Sequence, residues 1–320
     1  MARILTLTLN PALDLTVRLP QLRPGEVNRG EALHVQAAGK GLNVAQVLAD
    51  LGHRLTVSGF LGIDNPQAFD ALFAARGFAD AFVRVPGATR NNLKLAEADG
   101  RVTDVNGPGL LIEAGARQAL LERLDTLVPG HAAVVVAGSL PRGIDLAWFG
   151  ELLARLGRHG VPLALDTSGP ALAAGLRARP WLVKPNLEEL AEACGHPLTD
   201  EDSLVAQAGR LQAAGIEHLV VSRGADGVSW FAPDAAWRSR PPRVEVVSTV
   251  GAGDSLLAGM LHGLLAGWPA ERTLRLATAI AAQAVSQLAF GIPDPARLAA
   301  LGAAVAVQVA GRNNDKRQPQ

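Results

Sequence analysis

The stretch Val246-Val247-Ser248-Thr249-Val250-Gly251-Ala252-Gly253-Asp254-Ser255, running directly into Leu256-Leu257-Ala258-Gly259-Met260-Leu261, decides how this chain is read. A turn of small residues opens a segment of helical composition. Backbone amides at such a helix start can approach an anion closely, and the helix dipole adds to the attraction. Asp254 is out of place in a pure anion site, because its charge would repel the ligand. It becomes sensible if it accepts a proton from an attacking hydroxyl while the amides of Gly251, Ala252 and Gly253 stabilise a transferring phosphoryl group. The competing reading is structural: an acid in the first helical turn favours the dipole, and the glycines serve the turn. This segment by itself leaves both open.

Working outward, short apolar runs at 4–9, 55–60, 132–137, 161–165, 181–183 and 219–222 read as buried strands. Segments with helical spacing lie between and after them, at 42–51, 68–75, 114–127, 146–156, 201–214, 256–265 and 270–288. The alternation specifies an α/β fold, a mainly parallel sheet with helices on both faces. Two stretches break it. Residues 14–36 and 90–106 alternate like short strands joined by polar turns, with Asp99-Gly100 as a hairpin signal between 92–98 and 101–105. Inserted in pairs after the first and second βα units, at about 12–37 and 88–107, they would form a small accessory β-sheet, a lid over the ligand edge. One domain over 1–310 and a frayed tail over 311–320 complete the expected organisation.

Composition narrows the function. Thirty basic and thirty acidic residues balance, so nothing favours nucleic acid as a partner. The apolar runs are too short to span a membrane, and the N-terminus lacks the features of a signal peptide. Cys194 is the only cysteine, which rules out an internal disulfide and fits a reducing cytoplasm. Only four lysines occur, Lys40, Lys94, Lys184 and Lys316. Lysine is a compact charge on a flexible stem and arginine a planar fork, so a site shaped for one often rejects the other.

Three of these lysines fall in motifs. In Ala37-Ala38-Gly39-Lys40-Gly41-Leu42-Asn43, a second glycine turn opens a helix, with groups suited to sugar hydroxyls or phosphate; a plain helix cap is the alternative. Along Thr89-Arg90-Asn91-Asn92-Leu93-Lys94, period-two geometry puts Arg90, Asn92 and Lys94 on one face, either a phosphate clamp or a solvated edge. Asp14, after Asn10-Pro11-Ala12-Leu13, is placed to accept hydrogen bonds from sugar hydroxyls, or simply forms a turn. Trp181-Leu182-Val183-Lys184-Pro185-Asn186-Leu187-Glu188-Glu189 lies where a strand gives way to a helix, the usual ligand edge of such sheets. Asn186 and Glu189 share one helical face there, suited to Mg²⁺, to a capping box, or to both. Ser222-Arg223-Gly224-Ala225-Asp226-Gly227 is a glycine-rich turn under a nucleotide or an ordinary β-turn.

Together with Gly138-Ser139-Leu140-Pro141, these segments resemble the ribokinase-like PfkB carbohydrate kinase family from about residue 1 to about residue 300. The resemblance implies the ribokinase-like fold and ATP-dependent phosphorylation of a ketohexose phosphate, fructose 1-phosphate first, with Mg²⁺ as metal. Tagatose 6-phosphate and fructose 6-phosphate are the alternative acceptors, and a non-catalytic sugar-phosphate sensor the alternative role. It also implies roles. Asp254 is the base, and Gly251, Ala252 and Gly253 are the anion hole. Lys40, Arg90 and Lys94 face the substrate phosphate, with Asp14, Gly39, Asn43 and Ser139 around the sugar. Lys184, Ser222, Gly224, Gly227, Thr249 and Val250 lie near ATP, and Asn186 and Glu189 near the metal. A homodimer through the lid sheets is implied as well. Ala38 departs from the two glycines common before the lysine, so the family's pattern assigns no direct role to that position. A dehydrogenase is the least favoured reading, because the first strand leads into Asn10-Pro11 and not a G-x-G-x-x-G fingerprint.

Overall fold

The computed structural model describes residues 1–312. The chain opens with β1 (Arg3–Thr8), continues into the antiparallel pair β2 (Ala12–Leu19) and β3 (Ala32–Ala38), and then into α1 (Lys40–Asp50) and β4 (Arg54–Gly62). After α2 (Gln67–Arg76) and the short strands β5 (Ala79–Asp80) and β6 (Val83–Val85) comes a second pair, β7 (Arg90–Glu97) and β8 (Val102–Asn106). Strict alternation follows: α3 (Ala114–Leu127), β9 (Ala133–Ala137), α4 (Leu146–Gly157), β10 (Leu163–Asp166), α5 (Gly169–Arg177) and β11 (Leu182–Val183). Then come α6 (Leu187–Cys194), α7 (Glu201–Ala213), β12 (His218–Ser222), β13 (Val228–Phe231) and β14 (Ala235–Arg240). The chain ends with α8 (Ala252–Leu265), α9 (Ala270–Ala284), α10 (Pro295–Ala304) and β15 (Ala306–Arg312).

The large sheet runs β15-β14-β13-β12-β11-β10-β9-β1-β4-β5, with β6 also paired to β4. From β5 to β12 every neighbouring pair is parallel. Successive strand residues enter opposite cores, as the period of two requires. Leu5, Leu7, Val134, Val136, Leu163, Leu165, Leu219 and Val221 pack with Leu120, Phe149, Leu152, Leu172 and Leu190 of α3 to α6. Ile4, Val135, Ala164, Leu182 and Val220 pack with Leu42, Phe69, Leu257, Met260 and Ile280 of α1, α2, α8 and α9. Strands buried on both faces explain the continuous apolar runs.

Four expectations need correction. The sheet carries an antiparallel wing, β13 to β15, which the sequence reading did not anticipate. Its strands are short and mix Trp230, Trp237, arginine and serine among the apolar residues, so their pattern is weak. Gly311 and Arg312 belong to β15 and not to a tail; the rest of the expected tail, 313–320, lies outside the described residues. Helix α9 stops at Ala284, four residues before the expected end. The first lid pair also precedes α1 and so interrupts the first βα unit.

The lid itself is a separate four-stranded sheet, β3-β2-β7-β8. Its centre is the parallel pairing of β2 with β7, in register Ala12↔Arg90, Asp14↔Asn92 and Thr16↔Lys94. Asp99-Gly100 forms the expected hairpin, with Gly100 in the left-handed region.

Candidate active site

A cleft of about 440 Å³ lies between the lid and the carboxyl ends of the parallel strands. Its floor is made by the starts of three helices. Gly39 precedes α1 and Gly251 precedes α8, with φ of 140° and 83°, conformations that L side chains rarely adopt. At the third helix, α6, Asn186 and Glu189 form a reciprocal capping box: Asn186 Oδ1 accepts from the Glu189 N–H at 2.7 Å, and Glu189 Oε2 from the Asn186 N–H at 2.9 Å.

Between these helix starts sits a buried charge cluster. Asp166, the last residue of β10, is fully buried and accepts from Lys40 Nζ at 3.0 Å through Oδ1. Its Oδ2 lies 3.0 Å from Lys184 Nζ. Burial works to raise the Asp166 carboxyl pKa, but the ammonium groups of Lys184 and Lys40 outweigh it and hold the group below the usual carboxylate range. Burial likewise opposes the charge on Lys40, and Asp166 with Asp254 overcomes it, raising the Lys40 pKa above its ordinary value.

Asp254 lies in the first turn of α8, 5% exposed, where Asn43 Nδ2 of α1 donates to its Oδ2 at 2.8 Å. Burial, and then the negative charge of Asp166, push its carboxyl pKa up to about 6. This is a carboxylate poised to take a proton near neutrality. A Cβ added to Gly253 would come 3.1 Å from Lys184 Nζ, so that ammonium stands against the glycine turn.

The lid contributes the opposite wall. Asp14 accepts from Asn92 Nδ2 at 3.1 Å and from Lys94 Nζ at 2.6 Å. Among the described residues Arg90 has no carboxylate partner; its guanidinium donates to the carbonyls of Asn10, Pro11 and Gly107 at 3.1–3.4 Å. Burial lowers its pKa, with the Asp14 charge opposing.

Of the residues singled out from sequence, Asp14, Gly39, Lys40, Asn43, Arg90, Lys94, Lys184, Asn186, Glu189, Ser222, Thr249, Val250, Gly251, Gly253 and Asp254 all line this cleft. Ser139 does not; it accepts from Asn10 Nδ2 at 3.1 Å beside the rim. Nor does Ala252, whose N–H turns back to the Thr249 carbonyl at 3.5 Å. Gly224 and Gly227 stand outside too. At Gly227 a Cβ would fall 1.9 Å from the Ser239 carbonyl oxygen, so close strand packing accounts for that glycine.

Three residues of the site escaped the sequence reading. Asp166 had only a weak signal, a single acid at the end of an apolar strand. Asp104 and Asn106 line the cleft from β8 and pair in register with Lys94 and Asn92, so strand alternation carried forward across the hairpin would have found them.

The donor set fits a shared Mg²⁺. Such an ion keeps several waters and takes one or two protein carboxylates beside substrate phosphates. Among the described residues no group of three or more His, Cys, Asp or Glu side chains forms a dedicated cage. Glu189 spends Oε2 on the cap, and its Oε1 makes no hydrogen bond among the described residues.

The pfkB carbohydrate kinase family model matches residues 7–297, and the chain belongs to this family of ATP- and Mg²⁺-dependent kinases. It is 45% identical over 306 residues to 1-phosphofructokinase of Escherichia coli K12, covering 96% of this chain and 98% of that protein. It is 44% identical over 296 residues to 1-phosphofructokinase of Vibrio cholerae, covering 92% and 93%. Among solved structures, phosphofructokinase-2 from Escherichia coli in complex with fructose-6-phosphate matches with a TM-score of 0.87 at 29% identity, over 95% of this chain and 99% of that one.

Proposed function

We propose that this kinase phosphorylates fructose 1-phosphate to fructose 1,6-bisphosphate. The observation that carries the reading is Asp254: a buried carboxylate, raised toward neutrality, lining one cleft of substrate size with Arg90 and Lys94 of the lid. The acceptor's phosphate would rest on Arg90 and Lys94, with Lys40 nearby and Asp14 and Asn43 at the sugar hydroxyls. Asp254 takes the proton of the free hydroxyl as its oxygen bonds to the γ-phosphorus and the bond to the bridging oxygen of ADP breaks. The amides of Gly251 and Gly253 and the Lys184 ammonium stabilise the equatorial oxygens. Glu189 and Asn186 would hold Mg²⁺ through waters, and the ion supplies charge neutralisation of the β- and γ-phosphates. The relatives' shared name supports the acceptor at 42–45% identity.

Fructose 6-phosphate is the second reading, favoured by its presence in the phosphofructokinase-2 complex. ADP-release assays with fructose 1-phosphate, fructose 6-phosphate and tagatose 6-phosphate separate them. A kcat/KM for fructose 1-phosphate below either rival overturns the assignment. We also propose a cytoplasmic homodimer paired through the lids, whose strands expose Leu33, Val35, Val102 and Val105. No helix among the described residues is long and apolar enough to cross a membrane. Phosphofructokinase-2 has an inhibited tetrameric form, so sedimentation of this chain with and without ATP is the informative measurement.

A further inference from the structure

A second cavity, about 630 Å³, opens on the far side of α6, between the carboxyl ends of α5, α6 and α7. It is separate from the cleft; the two share no lining residue. Its floor is apolar, with Leu176 and Leu211 among small alanines, and its rim carries Arg177, Arg179 and Arg210. No acidic residue lines it, and none of the three guanidinium groups makes an ion pair or hydrogen bond among the described residues.

Arginines in a last helical turn often serve the helix dipole, and that accounts for Arg177 and Arg210 taken singly. It does not account for Arg179, which lies beyond the end of α5. Arg179 is the one non-glycine residue with positive φ among those described, at 54°, and it precedes Pro180, where the backbone is usually extended. Arg179 thus adds a third cation at the mouth of the cavity, held at the left-handed position that closes α5, where its N–H bonds to the Leu176 carbonyl at 3.2 Å. Three planar forks lining one cavity that no acidic residue lines suit more than one phosphoryl group. The cavity volume is that of a small-molecule site.

We propose that this cavity binds a small molecule carrying two phosphoryl groups, its phosphates on Arg177, Arg179 and Arg210 and its body on the Leu176–Leu211 floor. The proposal does not depend on the acceptor specificity of the cleft. A nucleoside diphosphate and a sugar bisphosphate share the required chemistry. The site also has a route to the cleft: α6 begins at Asn186 and Glu189 and ends at Cys194 in this cavity, about 12 Å further along its axis at 1.5 Å per residue.

Cys194, half-buried in the cavity wall and the sole thiol of the chain, reports on occupancy independently of turnover. The rate of its reaction with a disulfide reagent is measured at pH 8.5, with pyrophosphate, ADP or fructose 1,6-bisphosphate, against sodium chloride of matched ionic strength. Saturable protection of about threefold or more is expected from pyrophosphate. It should be absent in Arg177→Ser/Arg210→Ser and retained in Arg90→Ser, which alters only the cleft. Whichever of ADP and fructose 1,6-bisphosphate protects at lower concentration names the body. Arg179→Gly removes a charge and relieves the backbone, so it should weaken protection without loss of thermal stability. This keeps the test decisive if the double variant does not fold. Protection equal to matched salt overturns the proposal. So does protection that persists in both arginine variants, or that disappears in Arg90→Ser.

Discussion

The two walls of the cleft use the same residue types, aspartate, lysine and asparagine, but differ in what stands behind them. On the sheet side, Asp166 and Lys184 are 0% and 4% exposed, wedged between strand ends and backed by a helical layer on each face. On the lid side, the Asp14–Lys94 pair is 6% and 16% exposed, and the sheet behind it shows Leu33, Val35, Val102 and Val105 to solvent. The first arrangement can shift a carboxyl pKa, because little water screens Asp166 from Asp254. The second holds cations where an arriving phosphate must compete for them. Lys94 is already committed to Asp14, whereas Arg90, among the described residues, leans only on carbonyls. On the proposed reading, the sheet wall serves the chemistry and the lid wall recognition.

Substitutions test that division, beginning with the largest effect. Asp254→Asn should cut turnover by roughly two to four orders of magnitude while substrate binding persists. In the wild type, kcat should fall as pH drops through about 6, where Asp254 takes up its proton. The stability effect has the opposite sign. A folded carboxyl pKa raised above the unfolded value of about 3.9 means that the folded state binds more protons between those values, so Asp254 destabilises when ionised. The Asn variant should therefore melt above the wild type at pH 7.5, with the gap closing toward pH 5. A lower melting temperature at pH 7.5 would show that the charge is not strained by burial.

Asp166→Asn comes next. Two ammonium groups lose their buried counter-charge, a loss of about 3–5 kcal/mol of stability by denaturant titration. Asp254 simultaneously loses a like charge, so the acid limb of the activity profile should move to lower pH. An unmoved limb would mean that desolvation alone raises Asp254.

The lid offers smaller effects. Arg90→Ala should raise KM for the sugar phosphate about 10- to 100-fold with kcat nearly unchanged, the value of one charge-assisted contact. Lys94→Ala should raise it by less, because part of that charge is spent on Asp14. If Lys94→Ala is the more damaging, the lysine leaves Asp14 on binding and the lid cluster is rearranged by substrate.

The smallest expected effect lies at the other end of α8. His53 Nε2 and His262 Nδ1 share one hydrogen bond at 2.9 Å, and the Ala2 N–H donates to His53 Nδ1 at 3.3 Å. Burial lowers both pKa values, with mutual repulsion adding at His53. Folded-state values below the unfolded value of about 6.5 mean that stability is complete above it and declines as pH falls beneath it. Melting temperature should drop modestly from pH 7 to pH 5.5, and less so in His53→Gln. A single helix then carries two titrating ends with opposite signs.

Much of this was legible before the structure. Glycine turns preceding helices mark where backbone amides meet ligands, so the starts of α1 and α8 announced themselves. The parallel strands did too, since burial on both faces leaves an unbroken apolar run. Asp166 was obscured because a single acid after a strand has no spacing to distinguish it; its importance comes from two lysines 126 residues before it and 18 after it brought to either side. Asp104 and Asn106 were hidden for a related reason. Their facing depends on register across a hairpin, which alternation within one strand does not give. The antiparallel wing was missed because its strands are short and mix tryptophan, serine and arginine among the apolar residues.

The scarcity of lysine has a practical side. Of four in the chain, Lys40, Lys94 and Lys184 meet in one cleft, and Lys316 lies outside the described residues. With arginine carrying the rest of the positive charge, an amine-directed reagent finds few competing targets on the surface. Such a reagent should meet the Met1 amine first, 99% exposed, and the cleft amines only slowly, because Lys40 and Lys184 are paired with Asp166 and Lys94 with Asp14 and each must lose its proton before it is acylated; ligands that fill the cleft should slow those three further.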